Sequence, residues 1–484
     1  MKNQPALKKS LNLFDSTALV IGSMIGSGIF IVSADMSRTL GSPGWLMVAW
    51  IITGFLTIFA AISYGELASL MPQAGGQYVY LREAYNPLFG FLYGWTLFLV
   101  IQTGTIAAVA MAFAKFFGVL VPWFSENNIL ISMGSIKINY AQLLAVTSIV
   151  LLTWINTKGI KTGKYIQNGF TGIKTIVLLL FILIGLFFAT NNGAVKANFS
   201  ILWDAQQYSG NQFVSLTGFA VIVAIGTAMV GSLFTSVTWE NLTFTSGEVI
   251  NPKRNVPLGL FFGTLIVTAI YLLANLVYLN ILPLRGNIEG TTAFERGMQF
   301  ATNDRLATAS MESVFGQYAA VIMAVFIVIS TFGCNNGQVL AGARVYYAMA
   351  GDGLFFKKVG KLNAKGVPAA GLITQGIWAS LLCFSGTYSQ LLDYVVFAVL
   401  IFYVLTITAI FVLRIRKPHA ERPYKAFGYP VIPAIYILIS ILIMIILLIY
   451  KPDYTWPGLI IVLMGVPVYY IWKKGKTNTS SLKS

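Results

Sequence analysis

Hydrophobic residues along the chain are gathered into long, nearly uncharged segments that are separated by short polar loops. A membrane-spanning helix needs about 20 mainly apolar residues. Twelve segments come close enough to this length to predict transmembrane helices. They cover approximately residues 15–36, 44–70, 88–121, 138–156, 166–190, 214–244, 257–282, 317–350, 368–386, 390–413, 430–450 and 456–472. The pattern therefore predicts an all-α polytopic membrane protein with twelve transmembrane helices.

Lysine and arginine are divided unevenly between the two sets of loops. With the N-terminus placed inside, 22 basic residues fall in the inner segments and 7 in the outer ones. Because cytoplasmic loops are enriched in Lys and Arg, this asymmetry predicts a cell-membrane protein with both termini in the cytoplasm. The expected divisions are an N-terminal segment (1–14), helices one to five (15–190), helices six to ten (191–413), helices eleven and twelve (414–472) and a cytoplasmic tail (473–484).

Composition supports the membrane location and argues against several functions. Of 484 residues, 57% are hydrophobic and 10% charged, whereas a soluble domain carries about 25% charged residues. The net charge of +16 lies mostly in the inner loops, so no nucleic-acid partner is expected. His419 lies in a basic loop, and Cys334 and Cys383 lie in apolar segments. This pattern predicts no metal, no cofactor and no nucleophile–base pair of an enzyme.

The first apolar segment contains a stretch rich in glycine and serine at residues 22–30, which reads Gly-Ser-Met-Ile-Gly-Ser-Gly-Ile-Phe. Glycine in a helix interior costs about 1 kcal/mol relative to alanine, so this composition favours a break. A break within a membrane must face protein or a polar cavity. Its two half-helix ends would offer N–H groups to a carboxylate and carbonyl groups to an ammonium. The alternative is a continuous helix whose small residues pack closely on a neighbour.

The sixth segment is the expected counterpart of the first, because transporters built from inverted repeats often carry a discontinuous helix in each half. Its centre, residues 235–241, reads Thr-Ser-Val-Thr-Trp-Glu-Asn and is a poor continuous membrane helix. Glu240 is the costliest of these residues, and an ionisable group within the membrane usually marks a substrate or proton path. The alternative is a glutamate near the cytoplasmic end that is solvated or bonded to its neighbours.

Other polar residues within the apolar segments each have two interpretations. Lys174 in the fifth segment either points inward or extends to the cytoplasmic face along its aliphatic stem. Asn335 and Asn336 either line a cavity or join neighbouring helices. Glu66, at the end of the second segment, is expected to cap or pair near the cytoplasmic face rather than to bind substrate. Tyr403 is expected to be a packing or lipid-facing residue.

Four motifs occur in a fixed order along the chain. They are the Gly/Ser-rich stretch at 22–30, Tyr64-Gly-Glu-Leu with Met71-Pro-Gln-Ala-Gly-Gly-Gln-Tyr, Glu248-Val-Ile-Asn-Pro-Lys-Arg-Asn-Val-Pro, and Phe332-Gly-Cys-Asn-Asn-Gly. In these motifs the chain resembles the amino acid–polyamine–organocation superfamily of permeases, in particular its L-type, basic amino acid and antiporter branches. The resemblance implies a LeuT-type fold. This fold has two inverted five-helix repeats with discontinuous first and sixth helices, two further C-terminal helices, and alternating access.

The resemblance also assigns residues to a substrate site between the first and sixth helices. The residues it places around the substrate are Ser23, Ile25, Gly26, Ser27, Gly28, Phe234, Thr235 and Ser236. By motif position, the stretch at 25–28 would meet the carboxylate, and carbonyls around Phe234 would take the amino group beneath its aromatic gate. Lys174 falls where sodium-independent members carry a lysine. Glu240 falls where acid-resistance antiporters carry a proton-sensing glutamate.

These features predict a secondary transporter of free amino acids, sodium-independent, and either an exchanger or a proton-coupled carrier. A carrier of polyamines or other organic cations is one alternative, and an amino acid sensor that does not transport is another. The expected partners are the amino acid and the lipid bilayer. A homo-oligomer is compatible with the sequence, and no partner chain can be inferred. Because residues 235–238 replace glycines found in many L-type relatives, the preferred side chain stays open.

Overall fold

The computed structural model describes residues 9–73, 75–133, 136–158, 160–210, 212–385 and 388–481. The predicted N-terminal segment and cytoplasmic tail therefore lie partly outside the described residues. Nearly all regular structure in the described ranges is helical. The α-helices are α1 (Leu13–Met24), α2 (Val32–Leu40), α3 (Pro43–Leu70), α4 (Gln77–Ala84), α5 (Pro87–Thr96), α6 (Gln102–Leu120), α7 (Tyr140–Thr157), α8 (Ile160–Phe187), α9 (Asn192–Ser200), α10 (Phe219–Thr235), α11 (Asn241–Phe244), α12 (Pro252–Ile281), α13 (Ala293–Arg296), α14 (Leu306–Phe315), α15 (Gln317–Gly351), α16 (Ala369–Leu382), α17 (Tyr388–Arg416), α18 (Val431–Tyr450) and α19 (Pro452–Ser481).

Two short antiparallel hairpins accompany the α-helices. The strands are β1 (Ile129–Met133), β2 (Ile136–Asn139), β3 (Gln206–Ser209) and β4 (Gln212–Ser215). In the first hairpin Ile129 pairs with Asn139, and the register shifts between Ile129 and Ile131. In the second, Gln206 pairs with Ser215. A π-helical turn, Leu97–Ile101, joins α5 to α6.

Within the described residues, nine helical stretches are long and apolar enough to cross a membrane. They are Pro43–Leu70, Pro87–Leu120, Tyr140–Thr157, Gly169–Phe187, Pro252–Ile281, Gln317–Gly351, Gln390–Arg416, Val431–Tyr450 and Thr455–Lys473. The shorter apolar helices α1, α10 and α16 lie in the first, sixth and ninth predicted segments. The structure therefore confirms an all-α polytopic membrane protein. The number twelve stays a prediction, because these three helices are shorter than the roughly 20 residues of a full crossing.

The start of the sixth predicted segment, at residue 214, is wrong. Residues 214 and 215 belong to β4, and α10 begins only at Phe219. Gly218 precedes the helix with φ of 54°, in the left-handed region that glycine adopts readily. The apolar side chains Phe213 and Val214 extended the hydropathy signal across a strand, since hydropathy alone does not separate a short apolar strand from a helix.

Helix α12 supports both halves of the first apolar segment. α1 begins with a capping box between Asn12 and Asp15 and packs on α12 beside Gly259, where an added Cβ would lie 3.0 Å from Ser16 Cβ. α2 is held farther along α12, because Ser33 Oγ donates to Asn275 Oδ1 at 2.5 Å. One long helix thus fixes the positions of two short ones.

Glu66, near the C-terminal end of α3, connects α3 to α17 and to the segment after α17. It is 2% exposed and accepts hydrogen bonds from Arg414 Nε at 2.9 Å and Nη2 at 2.7 Å. The Ala426 N–H also donates to it at 2.7 Å, and Arg422 Nε lies 3.4 Å away. The structure confirms that Glu66 is a pairing residue.

Replacing Glu66 with alanine should destabilise the protein. The substitution leaves two guanidinium groups without their buried carboxylate, and breaking a buried pair from one side costs about 3–5 kcal/mol. Glu421→Ala is the matched control, because Glu421 is 79% exposed and lies 3.2 Å from Lys253, and exposed pairs contribute about 0–1 kcal/mol. Thermal unfolding in detergent compares the two variants. Equal small losses would contradict a structural role for Glu66.

Candidate functional site

The first apolar segment is broken at the glycines. α1 ends at Met24, and Ile25 has an extended ψ of 94°. A single 3₁₀ turn, Gly28–Phe30, lies between this point and the start of α2. All five residues assigned to the substrate in this stretch are buried: Ser23, Ile25, Gly26, Ser27 and Gly28. The discontinuity therefore lies inside the protein, as the exclusion of bare backbone from lipid requires.

The second break lies between α10 and α11, at residues 236–240. Thr238 adopts φ of 73°, which is rare for a β-branched residue. Its hydroxyl donates to Ser23 O at 2.8 Å, so a side chain of the second break bonds directly to the end of α1. Gly28 meets Thr235, since a Cβ on the glycine would overlap Thr235 Oγ1. The structure thus brings the two breaks together.

Lys174 reaches from α8 to the C-terminal end of α1. Its side chain is 2% exposed, and Nζ donates to Gly22 O and, at 2.8 Å, to Ile25 O. The lysine therefore points inward and does not extend toward the membrane surface. A cation at this position is favourable, because the C-terminus of a helix carries partial negative charge.

Tyr271 of α12 also binds both breaks. Its hydroxyl donates to Met24 O at 2.8 Å and lies 3.2 Å from Thr235 O. This role was not predictable from the sequence, because a tyrosine in an apolar segment carries no signal that separates bridging from packing. The edge-to-face contact with Trp50, at a centroid distance of 5.6 Å, fixes the orientation of the ring.

Protein side chains engage every carbonyl from Gly22 to Ile25. Lys174 donates to the carbonyls of Gly22 and Ile25. Thr238 donates to that of Ser23, and Tyr271 donates to that of Met24. That this end receives an ammonium stays a prediction from the sequence. An incoming ammonium would have to displace these donors or find its acceptors at the second break.

The backbone of the first break retains hydrogen-bond donors. Phe30 and Ile31 donate to Ser27 O and Gly28 O at 3.1 and 2.9 Å, whereas Gly26 and Gly28 N–H have no hydrogen-bond acceptor among the described residues. These groups precede α2, whose N-terminus carries partial positive charge. Backbone N–H groups at such a place suit a carboxylate.

The end of α10 lies beside the first break. Phe234 O accepts from Val237 N–H at 3.4 Å and also faces the Ser236 N–H. Phe234, Thr235 and Ser236 are 5%, 3% and 6% exposed. The predicted gate residue and its two neighbours are therefore buried beside the first break.

Glu240 is buried among aromatic rings. It is 4% exposed and does not lie in solvent, as one interpretation of the sequence had it. The rings of Tyr64 and Tyr403 lie 4.8 and 5.3 Å from that of Trp239. Oε2 of Glu240 makes no well-aligned hydrogen bond among the described residues, and the Tyr403 hydroxyl lies beside the carboxyl group. Tyr403 is 5% exposed and packs inside the protein.

The two asparagines of α15 differ in their contacts. Asn336 Oδ1 accepts from Asn156 Nδ2 at 2.8 Å, which joins α15 to α7. Asn335 is 1% exposed, and its amide has no partner in the described part of the chain. Gln338, one turn farther on, donates weakly to Ser23 O at 3.5 Å. Gln338 was not among the predicted residues, although its side chain contacts the first break.

Neither cysteine forms a disulfide. Cys334 and Cys383 are free and buried, and Cys334 Sγ lies 3.4 Å from Ser23 O. Among the described residues, no group of three or more His, Cys, Asp or Glu side chains could hold a metal ion. The chemistry of the site therefore consists of backbone dipoles, one buried ammonium and one buried carboxyl group.

Known proteins match this chain over nearly its whole length. Residues 11–469 match the family model described as amino acid permease. The human b(0,+)-type amino acid transporter 1 is 27% identical over 475 residues, which cover 96% of this chain and 88% of that protein. The human large neutral amino acids transporter small subunit 2 is 29% identical (96% and 81% covered), and the mouse Asc-type amino acid transporter 1 is 27% identical (96% and 81% covered).

These relatives are transporters, which confirms the prediction of a transporter over an enzyme. The four motifs, the broken helices and the extent of the match agree with one another. The chain belongs to the amino acid permease family within the amino acid–polyamine–organocation superfamily.

Proposed function

We propose that this protein carries free amino acids across the cell membrane by alternating access, without sodium, as an exchanger or a proton-coupled carrier. The observation that carries the proposal is the pair of facing helix breaks, which offer a carboxylate and an ammonium different partners. The names of the relatives support amino acids as the substrate class.

The proposed architecture has twelve membrane crossings in the LeuT arrangement. The first repeat consists of α1–α2, α3, α5–α6, α7 and α8, and the second of α10–α11, α12, α15, α16 and α17, followed by α18 and α19. Each of the two repeats begins with a broken helix, as is common in transporters built from inverted repeats. The excess of basic residues in alternate loops supports cytoplasmic termini.

In the proposed site, the substrate carboxylate binds the N–H groups of residues 26–28. The ammonium binds carbonyls at the end of α10, around Phe234, because the carbonyls of α1 are already engaged. Phe234 covers the substrate, and Ser23, Thr235 and Ser236 lie beside it. This division gives each charged group a half-helix end of opposite partial charge.

Lys174 supports sodium independence. Its ammonium holds two carbonyls at the end of α1 and supplies there the positive charge that a bound cation would otherwise provide. The position of Glu240 supports a role in proton response, since an enclosed carboxyl group is costly unless its environment favours one protonation state.

An organic cation carrier is the second candidate, and the buried carboxyl group of Glu240 favours it. The N–H groups of the first break argue for a substrate with a carboxylate instead.

One relative is named a small subunit. A partner of this chain would have to be held without a disulfide, because both cysteines are buried.

Uptake of a panel of labelled amino acids into proteoliposomes tests the proposed function. Each amino acid is supplied with and without internal substrate, and with and without a proton gradient. Uptake that requires internal substrate identifies an exchanger, and uptake into empty vesicles that follows the gradient identifies a proton-coupled carrier. Uptake of polyamines alone would contradict the proposal, and binding without uptake would indicate a sensor.

Gly28→Ala should abolish uptake while the protein remains folded. The new methyl group would overlap Thr235 Oγ1 and force the two breaks apart. Gly172→Ala on α8 is the control, because a Cβ there meets no atom within 4 Å. Uptake rates are compared at equal protein amounts after size-exclusion chromatography. Normal uptake by Gly28→Ala would remove this stretch from the site.

Lys174→Ala should lower uptake by about tenfold or more, because two charge-assisted hydrogen bonds of about 1.5–3 kcal/mol each are lost. Adding sodium should not restore the rate. Lys196→Ala removes an exposed lysine from α9 and should transport like the wild type. An unaltered rate for Lys174→Ala, or a rate restored by sodium, would refute the proposed role.

Glu240→Gln should change how uptake depends on pH, because glutamine keeps the shape of the side chain but cannot gain or lose a proton. The wild-type rate should vary with pH, and the variant should lose that variation. Glu421→Gln, at an exposed position, should keep the wild-type profile. Uptake measured across a pH series decides between them, and identical profiles for all three proteins would exclude a proton role for Glu240.

A further inference from the structure

A cavity lies behind the second break, between α3, α10, α17 and α18. Its volume is about 20 Å³, which is enough for about one water molecule. Its walls are mainly aliphatic, and their polar members are Thr57, Ser236, Tyr403 and Tyr436. We call this space the α17 chamber. Ser236, Val237 and Trp239 belong to the second break and also line the chamber, so it adjoins Glu240 without being part of the first break.

Several buried oxygen atoms in and near the chamber make no well-aligned hydrogen bond among the described residues: Glu240 Oε2, Tyr64 Oη, Tyr403 Oη, Thr406 Oγ1 and Ser440 Oγ. The Tyr403 hydroxyl nevertheless lies beside Glu240, and that of Tyr64 lies beside Thr406. Each of these side chains is 5% exposed or less. Buried polar groups in proteins are nearly always hydrogen-bonded, and ordered water is the usual partner where protein groups are lacking.

These oxygens follow the interface between α3 and α17. Tyr403 and Thr406 are three residues apart on α17 and therefore share a helix face. The ring of Tyr64 lies 5.7 Å from that of Tyr403. Tyr64 precedes Glu66 by two residues, and Glu66 binds Arg414 at the end of α17. The series thus extends from Glu240 along the interface between α3 and α17.

The groups that face Glu240 are hydroxyls. Among the described residues, the titratable groups that interact electrostatically with it are Tyr64 of α3, Tyr93 of α5, Tyr403 of α17 and Tyr436 of α18. None of these carries a charge at neutral pH. Lys174 is committed to the end of α1, on the opposite side of the break.

We propose that the hydroxyl groups of Tyr403, Thr406 and Tyr64, with water that enters the α17 chamber, form the route by which Glu240 exchanges protons. The proposal rests on the proton role proposed above for Glu240. A hydronium ion that reaches the route gives a proton to the first hydroxyl oxygen and leaves as water, and that hydroxyl passes its own proton to the next oxygen. Each hydroxyl ends as it began, and Glu240 Oε2 gains one proton. The reverse sequence releases it.

This route would let Glu240 change its protonation while the substrate side of the break stays closed. Thr238 and Tyr271 seal the junction between the two breaks with hydrogen bonds. Ser236, Val237 and Trp239 line the chamber, whereas Thr238 donates to the first break. Proton access and substrate access are therefore separate paths that meet at one short stretch of backbone.

The test uses the variants Tyr403→Phe and Thr406→Val, alone and together, in proteoliposomes that contain a pH-sensitive dye. Each variant removes one of these oxygens and keeps the shape of the side chain, so folding should be preserved. Proton movement coupled to amino acid uptake should slow by about tenfold or more, within the range that a positioned proton donor contributes. Exchange of amino acid at equal pH on both sides should stay within about twofold, since it needs no proton transfer.

Tyr346→Phe is the matched control. Its hydroxyl is also buried and unpartnered among the described residues, but its ring stacks on Phe355, outside the chamber. Both readouts should match the wild type. As a second measurement, infrared spectroscopy follows the carboxyl band that Glu240→Gln removes. Its response to a pH jump should be slower in Tyr403→Phe and unchanged in Tyr346→Phe.

The inference would be overturned if Tyr403→Phe and Thr406→Val moved protons, and changed the carboxyl band, at wild-type rates. That result would leave the proposal of amino acid transport unaffected. Amino acid exchange by the wild type without proton movement or pH dependence would also overturn it. Failure of the wild type to move any amino acid would instead refute the proposed function, and the uptake panel shows this before any variant is made.

Discussion

The end of α1 is the point on which the site depends, because a helix that stops inside a membrane exposes carbonyl groups that lipid cannot satisfy. Four successive carbonyls are met by three side chains from three different parts of the fold. Lys174 comes from α8, Thr238 from the second break and Tyr271 from α12. Satisfying one broken helix therefore fixes the relative positions of α8, α10 and α12.

This arrangement divides the charges of the proposed substrate between the breaks. The carbonyl end of the first break is occupied by the Lys174 side chain, while its N–H end keeps donors at Gly26 and Gly28. The second break places carbonyl groups, among them that of Phe234, at the end of α10, where the helix carries partial negative charge. A zwitterion fits this pattern in one orientation, whereas a simple amine would leave the N–H groups without a partner. The proposal of amino acid transport follows from this asymmetry together with the family.

Those parts of the site that are expensive inside a membrane were predictable from the sequence. The glycine-rich stretch, Lys174 and Glu240 stand out because a helix break or an ionisable group within the membrane is energetically costly. Tyr271 and Thr238 were not predictable in the same way. A tyrosine or threonine in an apolar segment is common, and its role depends on which carbonyl it reaches after folding. Gln338 and Tyr403 gain their significance only from neighbours that are distant in the sequence.

The fold was predictable to the level of its helices and less so at their ends. Hydropathy located the apolar segments, but β4 extended the sixth one past its true start, and the break in the first segment became visible only through composition. Competition for uptake between a transported amino acid and its amino alcohol or des-amino acid tests directly whether the two breaks hold opposite ends of the substrate. If the two breaks hold opposite ends of a zwitterion, each analogue should compete at least about tenfold more weakly, because each lacks one charged hydrogen-bonding group. An amino alcohol that competes as well as the amino acid would contradict the account.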